Sequence, residues 1–539
     1  AATLTAAWRW KTFSPRSPAF QGRSDRIAMD RIYITTPMYY VNAEPHLGHT
    51  YTTVIADTLK RYYRQQGIDA FLLTGTDEHG DKIAQAAKEN GMAPQAYADR
   101  ISGVFRATWD ECGIDYDHFL RTTDDYHKRY VQEILQKLYD NGDIYFGEYG
   151  GFYCYGCERF YTEKELVGGK CPDHQTAPAY IKEKNYFFRM SKYQQRLIET
   201  LEAKPDLVRP ERYRGEVLAF LREPLEDLSI SRPKSRLDWG IPLPFDPEHV
   251  TYVWFDALLN YVSALKYKGE DVFEAYWPKA NHLIAKDILK PHAIYWPTML
   301  MAAGLPLYEH LDVHGYWVMD SGKMSKSLGN VVRPLEMKKR FGMDAFRYFL
   351  LREMVFGQDA NFSFDALVNR INADLANNFG NLVSRVLAMQ QRYFSGAVQP
   401  LGALRDEDIA LRDKFVQAEE EMKQHMAALQ FHRALESLWS AIDHANRYIV
   451  QTAPFTLFKD EAQRPRVGEI LHHLLEVIRS SARLLAPFLP DTSRQLNRLL
   501  AVPAGEANSR KPWGTFFPAG HKISPPAVLF PRIEPEGEA

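Results

Sequence analysis

Residues Arg31 to Gly80 read RIYITTPMYYVNAEPHLGHTYTTVIADTLKRYYRQQGIDAFLLTGTDEHG. The run Ile32 to Thr35, closed by Pro37, predicts a buried strand. Tyr51, Val54, Ile55, Thr58, Leu59 and Tyr62 then recur at helical spacing, and Gly67 stops the helix. Ala70 to Leu73 reads as a second buried strand. Strand, helix and strand with short links form a βαβ unit, so the sheet is expected to be parallel with a right-handed crossover. Ligands of such sheets bind beyond the carboxyl ends of the strands.

That rule brings three stretches towards one crevice: TPMYYVNAEPHLGH after the first strand, GTDEHG after the second, and whatever follows the later strands. PHLGH lies where the first helix starts, and a helix N-terminus with free N–H groups suits phosphate. His46 and His49 are three apart on one side of that turn, and Gly48 permits close approach to the backbone. A lone H-x-x-H is more often a zinc pair or a surface pair; its place after a strand favours a nucleotide. There is no G-x-G-x-x-G after the first strand and no G-x-x-x-x-G-K-[ST], which argues against a nicotinamide dehydrogenase and a P-loop ATPase. A second half-site is HGYWVMDSGKMSKSLGN, His314 to Asn330. Lys323 and Lys326 sit among glycines and serines, on a loop with little apolar surface to bury. A lone K-x-x-K is ordinarily a solvated loop, but paired with PHLGH it reads as a phosphate clamp, because lysine is a mobile point charge.

Composition narrows the class. A chain of 539 residues exceeds one core, and a formal net charge of −2 excludes a global basic field, so any polyanion site must be local. No apolar run reaches the ~18 residues of a membrane span, so a soluble chain without a membrane partner is expected. Residues 1–28 hold five basic residues, one acid and several serines, as an organellar transit segment or an upstream extension would.

Three of the four cysteines fall into FYCYGCERFYTEKELVGGKCPDHQ. Cys154, Cys157, Cys171 and His174 make C-x2-C, thirteen residues, then C-x2-H, two knuckles able to supply four tetrahedral ligands. With all four positions filled by protein, one Zn²⁺ there would be structural. Cys112 stands apart and reads as a buried thiol.

PHLGH and KMSKS resemble the two signatures of class I aminoacyl-tRNA synthetases. Together with TTPMYYVNAEPHLGH, GTDEHG, VWFDALLNY and KDILKPHAIYWP, the chain is similar to the methionyl-tRNA synthetase family from about Arg31 to Pro490, in its bacterial and organellar type with one zinc knuckle. The resemblance implies a Rossmann-type α/β catalytic domain split by a zinc-containing connective peptide, then an α-helical anticodon-binding bundle. It implies a methionine–tRNA ligase that uses ATP, with Mg²⁺, to form methionyl-adenylate and passes it to tRNA(Met). His46, Gly48, His49 and Lys326 would bind ATP, and His46, His49, Lys323 and Lys326 would stabilise the transition state. Asp77 would hold the methionine ammonium. Met38, Tyr40, Trp254, Ala257, Leu258, Tyr261, Ile288, His292 and Trp296 would surround the side chain, with Tyr261 and His292 able to offer hydrogens to the thioether. Asn381, Arg385 and Phe455 match the anticodon-binding positions; Phe455 stands where the family more often has Trp, which keeps stacking but loses the indole N–H.

The expected organisation is a leader at 1–28, the first catalytic half at 29–114, and the connective peptide at 115–248 with its knuckle near 150–178. The second catalytic half follows at 249–320, the KMSKS loop and stem-contact region at 321–371, the helical domain at 372–500 and a tail at 501–539. In the helical domain Leu411, Phe415, Ala418, Met422, Met426 and Leu429 form one stripe, and EILHHLLEVIRSSARLLAPFLP reads as a helix stopped by Pro487 and Pro490. A monomer, a disordered EPEGEA end and a cytoplasmic location are expected, or an organellar matrix if 1–28 is a transit peptide. A synthetase for a branched aliphatic amino acid would need an editing insertion larger than this connective span. The other rivals are a different class I nucleotidyl transferase and a zinc-containing tRNA-binding protein whose catalytic site has decayed.

Overall fold

The structure is a computed structural model that describes residues 30–155, 159–161, 163–172, 175–251, 254–319 and 331–534. Its centre is a six-stranded, wholly parallel sheet. In chain order the strands are β1 (Arg31–Tyr40), β2 (Asp69–Asp77), β3 (His118–Arg121), β6 (Val208–Arg209), β7 (Ala280–Ala285) and β8 (His310–His314). Between β3 and β6 come β4 (Ile144–Cys154) and β5 (Ala179–Phe188), a long antiparallel pair outside that sheet. The parallel order is β3-β2-β1-β7-β8-β6, so the chain leaves the middle strand in both directions and opens a crevice beyond the carboxyl ends of β1 and β7.

Several expectations shift in detail. β1 does not stop at Pro37. It runs to Tyr40 with a change of register between Thr35 and Met38, because proline has no N–H to give the ladder. The shift re-aims the strand's end, and Met38 and Tyr40 come to line the crevice. The parallel sheet takes β3 and β6 from the span expected as connective peptide. The insertion proper is the antiparallel pair β4–β5 with its knuckle.

Helix α1 (Leu47–Gln65) follows β1 and ends at Gln66, and Gly67 adopts φ +84°, a left-handed conformation that glycine takes without strain. The expected stripe is buried as far as Leu59 and Tyr62 is half-buried, but every residue from Thr50 to Lys60 is buried too. One side of α1 packs on the sheet. The other meets the helix Met343–Glu353, whose Arg347 reaches the turn at Pro487–Phe488 of the helical domain, and Gln65 at the end of α1 donates to Arg483 O at 2.6 Å. Catalytic and helical parts thus share one continuous apolar core.

The helical part begins as Phe364–Arg370, continues through a π-helical stretch Ile371–Gly380 and runs on as Asn381–Phe394. Asp406–Ala427, Phe431–Thr452, Arg464–Leu485 and Pro490–Leu499 complete the bundle, and the Leu411-to-Leu429 stripe is buried in it. Pro490 is not only a stop: it opens the last helix at its first turn, where its missing N–H costs nothing. The segment 501–534, expected as a tail, packs along the bundle. Phe516, Phe517 and Ile523 are buried, Val398 N donates to His521 O at 2.8 Å, and Ile533 N donates to Asn372 Oδ1 at 2.8 Å. Of EPEGEA, only Glu534 lies among the described residues. No helix among the described residues is long and apolar enough to cross a membrane.

Candidate active site

A cavity of about 710 Å³ lies beyond the carboxyl ends of the strands, a size that suits a small ligand of several groups. Its floor is built by the start of α1. His46 is the N-cap and His49 the third residue of the helix, and their rings stack at 3.8 Å. Gly48 N–H donates to His46 Nδ1 at 3.1 Å, and His46 N–H donates to His49 Nδ1 at 3.4 Å. Both Nδ1 atoms therefore accept, which puts the proton of each neutral ring on Nε2. Burial, then the neighbouring His46, holds His49 well below the ordinary imidazole range. The pair thus presents N–H donors from a helix N-terminus without a second positive charge. Gly48 also leaves room for the ring: a Cβ would stand 3.1 Å from His46 Cε1, so the imidazole would have to shift by a few tenths of an ångström.

Asp77 is the last residue of β2, buried, and lines the cavity. The adjoining Glu78 is held elsewhere. Arg121 grips its carboxylate with two bonds at 2.7 and 2.8 Å, and Thr123 adds a third at 2.6 Å. Gly75 makes this strand end possible, since a Cβ there would fall 1.9 Å from Leu120 O and 2.7 Å from Met38 Sδ. Sequence reading did not single out Gly75; its only signal was its place inside GTDEHG.

Trp254, Ala257, Leu258, Tyr261, Ile288 and His292 line the same cavity as Asp77, with Met38 and Tyr40. Tyr261 OH and His292 Nε2 lie 2.8 Å apart, and His292 Nδ1 lies 2.9 Å from Ile288 O. Since a carbonyl only accepts, His292 carries its proton on Nδ1, and Tyr261 donates to Nε2. Both polar hydrogens expected for a thioether are thus engaged within the protein: Tyr261 O–H with His292 and His292 Nδ1–H with Ile288 O. Burial lowers His292 to about 4, so the ring is neutral. Trp296 is not on the wall. It is fully buried one layer behind, where its Nε1–H donates to His282 Nε2 at 3.1 Å.

The far end of the cavity is lined by Lys286, Asp287 and His314 to Trp317, at the ends of β7 and β8. Sequence reading assigned no role to these residues, although it quoted both stretches. The knuckle region reaches the mouth: Pro172 lines the cavity, and Lys290 pairs with Glu165 at 3.1 Å.

Comparison with known proteins agrees with this geometry. The family model "tRNA synthetases class I (M)" matches residues 32–180 and 174–387, and "Anticodon binding domain of methionyl tRNA ligase" matches 398–539. The methionine–tRNA ligase of Caldanaerobacter subterraneus is 46% identical over 508 residues, 94% of this chain and 79% of that protein. The Bacillus subtilis methionine–tRNA ligase is 42% identical over 94% of this chain and 78% of its own. The solved Mycobacterium tuberculosis methionyl-tRNA synthetase bound by methionyl-adenylate superposes with a TM-score of 0.89 at 39% identity, covering 93% of this chain and all of that one. The chain belongs to the methionine–tRNA ligases.

As in a methionine–tRNA ligase of class I, the bundle follows the catalytic domain, and its expected anticodon residues lie on its surface. Asn381 and Arg385 occupy the first turns of Asn381–Phe394, and both are exposed. Arg385 donates to Asn381 O at 3.3 Å and to Asn446 Oδ1. Asn446 donates to Asn378 Oδ1 at 2.7 Å, and Asn378 to Asp443 Oδ1 at 2.7 Å. Asn378, Asp443 and Asn446, to which the sequence assigned no role, extend this network along the same face; Asp443 and Asn446 lie one helical turn apart. Phe455 follows Pro454 at the start of the short helix Pro454–Leu457 and is 53% exposed, so it is not a core residue.

Of the four expected zinc ligands, Cys154 and Cys171 are buried in one small cluster with Tyr161. Cys157 and His174 lie outside the described residues, as do Lys323 and Lys326 of the ligase's KMSKS segment.

Proposed function

We propose that this chain condenses L-methionine with ATP to methionyl-adenylate and transfers the methionyl group to the terminal ribose of tRNA(Met). The observation that carries this reading is the meeting, in one cavity, of a buried carboxylate, an apolar wall and a pair of N–H donors at a helix N-terminus. Asp77 would take the ammonium, and Met38, Tyr40, Trp254, Ala257, Leu258, Tyr261, Ile288 and His292 the side chain. The methionine carboxylate then faces the α-phosphorus of ATP, supplied as its Mg²⁺ complex. One carboxylate oxygen forms the bond to phosphorus as the bond to the bridging oxygen breaks and pyrophosphate leaves. His46 and His49 donate from Nε2 to the phosphates, Gly48 keeps the approach open, and Lys323 and Lys326 offset charge on the departing pyrophosphate. Lys286, Asp287 and His314 to Trp317 would accommodate the nucleoside end. In the second step the ribose hydroxyl attacks the carbonyl carbon of the adenylate and AMP leaves. No protein nucleophile is needed; the work is positioning and electrostatics.

Methionine-dependent ATP–pyrophosphate exchange, followed by charging of tRNA(Met), tests the reading. Activity with neither methionine nor tRNA would overturn it. Within that assay, Lys326→Ala should slow adenylate formation by about 100-fold, near 3 kcal/mol for one preorganised charge, with methionine Kd little changed.

Cys154, Cys157, Cys171 and His174 would hold one zinc ion. The two described thiols fit: both are buried, and they share a cluster with Phe152 and Leu166. When bound, the ion would cross-link the knuckle. Cys154→Ser or Cys171→Ser should lose the metal and lower the temperature at which the knuckle resists proteolysis. A zinc-free parent with full activity and unchanged proteolysis would remove the assignment.

Recognition of the tRNA would use Asn381 and Arg385 for base edges and Phe455 for stacking, since RNA is read largely at unpaired bases. Arg385→Ala and Phe455→Ala should each raise the tRNA KM about tenfold, the order of one lost stack or charged hydrogen bond, and leave pyrophosphate exchange near normal. Charging of tRNA(Met) by both variants at the parent's KM would place the anticodon face elsewhere. Because segment 501–534 covers the bundle's apolar side, the chain is proposed to act as a monomer. Its place is proposed to be the cytoplasm, with an organellar matrix as the alternative that a reporter fused to residues 1–28 would test.

A further inference from the structure

Behind the cavity wall lies a buried polar cluster that no step above uses. Asp256, in the short helix Trp254–Leu258, is wholly buried and meets two buried histidines. His79 Nδ1 lies 2.6 Å from its Oδ2, and His127 Nε2 lies 2.9 Å from its Oδ1. His127 Nδ1 in turn lies 2.8 Å from Ser263 Oγ. Four elements meet there: the loop after β2, the helix Asp125–Asp140, the helix Trp254–Leu258 and the helix Asn260–Lys268. Burial alone would raise the Asp256 carboxyl, but the charge and hydrogen bonds of His79 and His127 outweigh it and hold the group below its ordinary range. It is therefore an anion that accepts from both rings. Well-packed apolar side chains would fill such a space at no lower stability. What the polar cluster adds is geometry: a carboxylate accepting two N–H groups has a narrow range of orientations.

Its two ends lead to two separate groups of cavity-lining residues, on different elements of the chain. His79 stands two residues beyond Asp77, and its carbonyl accepts from Tyr40 OH at 3.2 Å. Asp256 lies in sequence between Trp254 and Ala257, both of which line the cavity. Asp256 itself does not line the cavity, so it touches no ligand. We infer that Asp256, gripped by His79 and His127, is the positioning residue that sets the distance between the ammonium-binding Asp77 and the Trp254–Leu258 wall. This rests on the reading of the cavity as the methionine site.

The test compares variants that keep or remove a single donor. Methionine and ATP binding are measured separately by calorimetry on the full chain, alongside thermal denaturation. His79→Leu removes the Nδ1 donor, whereas His79→Asn places an amide N–H near the same point. Asp256→Asn sets an amide N–H against a ring N–H. His79→Leu and Asp256→Asn should raise methionine Kd at least tenfold and leave ATP Kd within twofold; His79→Asn should stay within threefold of the parent. Ser263→Ala removes only the outermost hydroxyl, and should raise methionine Kd about threefold; it decides the matter if the other variants do not fold. The inference is overturned if His79→Leu and Asp256→Asn bind methionine as the parent does. It is also overturned if methionine and ATP affinity fall together, if His79→Asn is no better than His79→Leu, or if Ser263→Ala, as the sole folded variant, is unchanged. Asp77→Ala separates the two levels: normal methionine binding by that variant overturns the site reading itself, whereas a loss there with intact binding in the cluster variants overturns only the positioning role.

Discussion

Asp77→Ala is expected to raise the Kd for methionine by a factor of ~10²–10³ while ATP Kd stays within a few-fold of the parent. The carboxylate ends β2, in register with Tyr40 of β1, and only 6% of the residue is exposed. An ammonium brought against it leaves water, and its partner must replace that hydration. Removing one member of a buried charge pair costs about 3–5 kcal/mol, because the remaining charge is left desolvated and unpaired. At 1.4 kcal/mol per tenfold, the lower part of that range, about 3–4 kcal/mol, corresponds to the stated loss. Glu78 cannot substitute, since Arg121 and Thr123 already hold its carboxylate. The phosphate donors His46 and His49 sit on α1, a separate element, so ATP should be spared. Separate titrations of the two ligands decide it, and an equal loss for both would mean that the variant had damaged the crevice as a whole.

Why Asp77 was legible in the sequence, and Trp296 was not, follows from what each reading depends on. Asp77 stands at the end of an apolar run, and the end of a parallel strand faces the crevice whatever the details of packing. Trp296 was placed by likeness alone, and its helix sets its indole N–H on His282 rather than among the residues that line the cavity. The stacking of His46 on His49 was implied by a spacing of three at a helix start. The tautomers were not, because they depend on which backbone N–H each ring meets. β3 and β6 were assigned to the insertion because four and two residues are too few to display a period. The extension of β1 past Pro37 was hidden for a related reason: a proline closes a regular ladder, and only the register shift lets the strand go on. The amphipathic reading of α1 was incomplete because Asp57 and Lys60 count as polar, yet each is buried against a partner from elsewhere in the chain. The segment 501–534 has little periodicity, and its order comes from isolated anchors such as Phe516, Phe517 and Ile523 rather than from a pattern.

Arg347→Met should lower folding stability by about 3–5 kcal/mol, the order seen when a buried ion pair loses one member. Arg347 is wholly buried in the helix Met343–Glu353. Its Nη1 donates to Asp57 Oδ2 at 2.6 Å and its Nη2 to Thr58 Oγ1 at 3.1 Å, both on α1. Its Nε donates to Phe488 O at 2.7 Å and Nη2 also to Pro487 O at 3.1 Å, in the turn before the last bundle helix. One planar guanidinium therefore ties the helix that carries His46 and His49 to the domain that carries Phe455. Methionine would fill most of the volume but leave two carbonyls and part of a carboxylate unpaired. Lysine should not rescue it, because a single ammonium cannot reach groups arranged around a plane. Burial would raise the Asp57 carboxyl, but Arg347 and Arg61 prevail and hold it below its ordinary value. A carboxyl with a depressed folded-state pKa stabilises the fold above its unfolded value, near pH 4, and loses that contribution as pH falls. In Arg347→Met that depression shrinks, so the part of the acid-induced loss that comes from Asp57 should shrink too, even though the variant is less stable at every pH. Asp57→Asn added to Arg347→Met should recover part of the loss, because it removes the carboxylate that Arg347 had balanced; Arg61, which still donates to position 57 in the single variant, sets how much is recovered. Urea unfolding of the parent, both single variants and the double variant at pH 7 and pH 4 measures the coupling directly. Additive losses, with no dependence on pH, would show that the pair is not what joins α1 to the bundle.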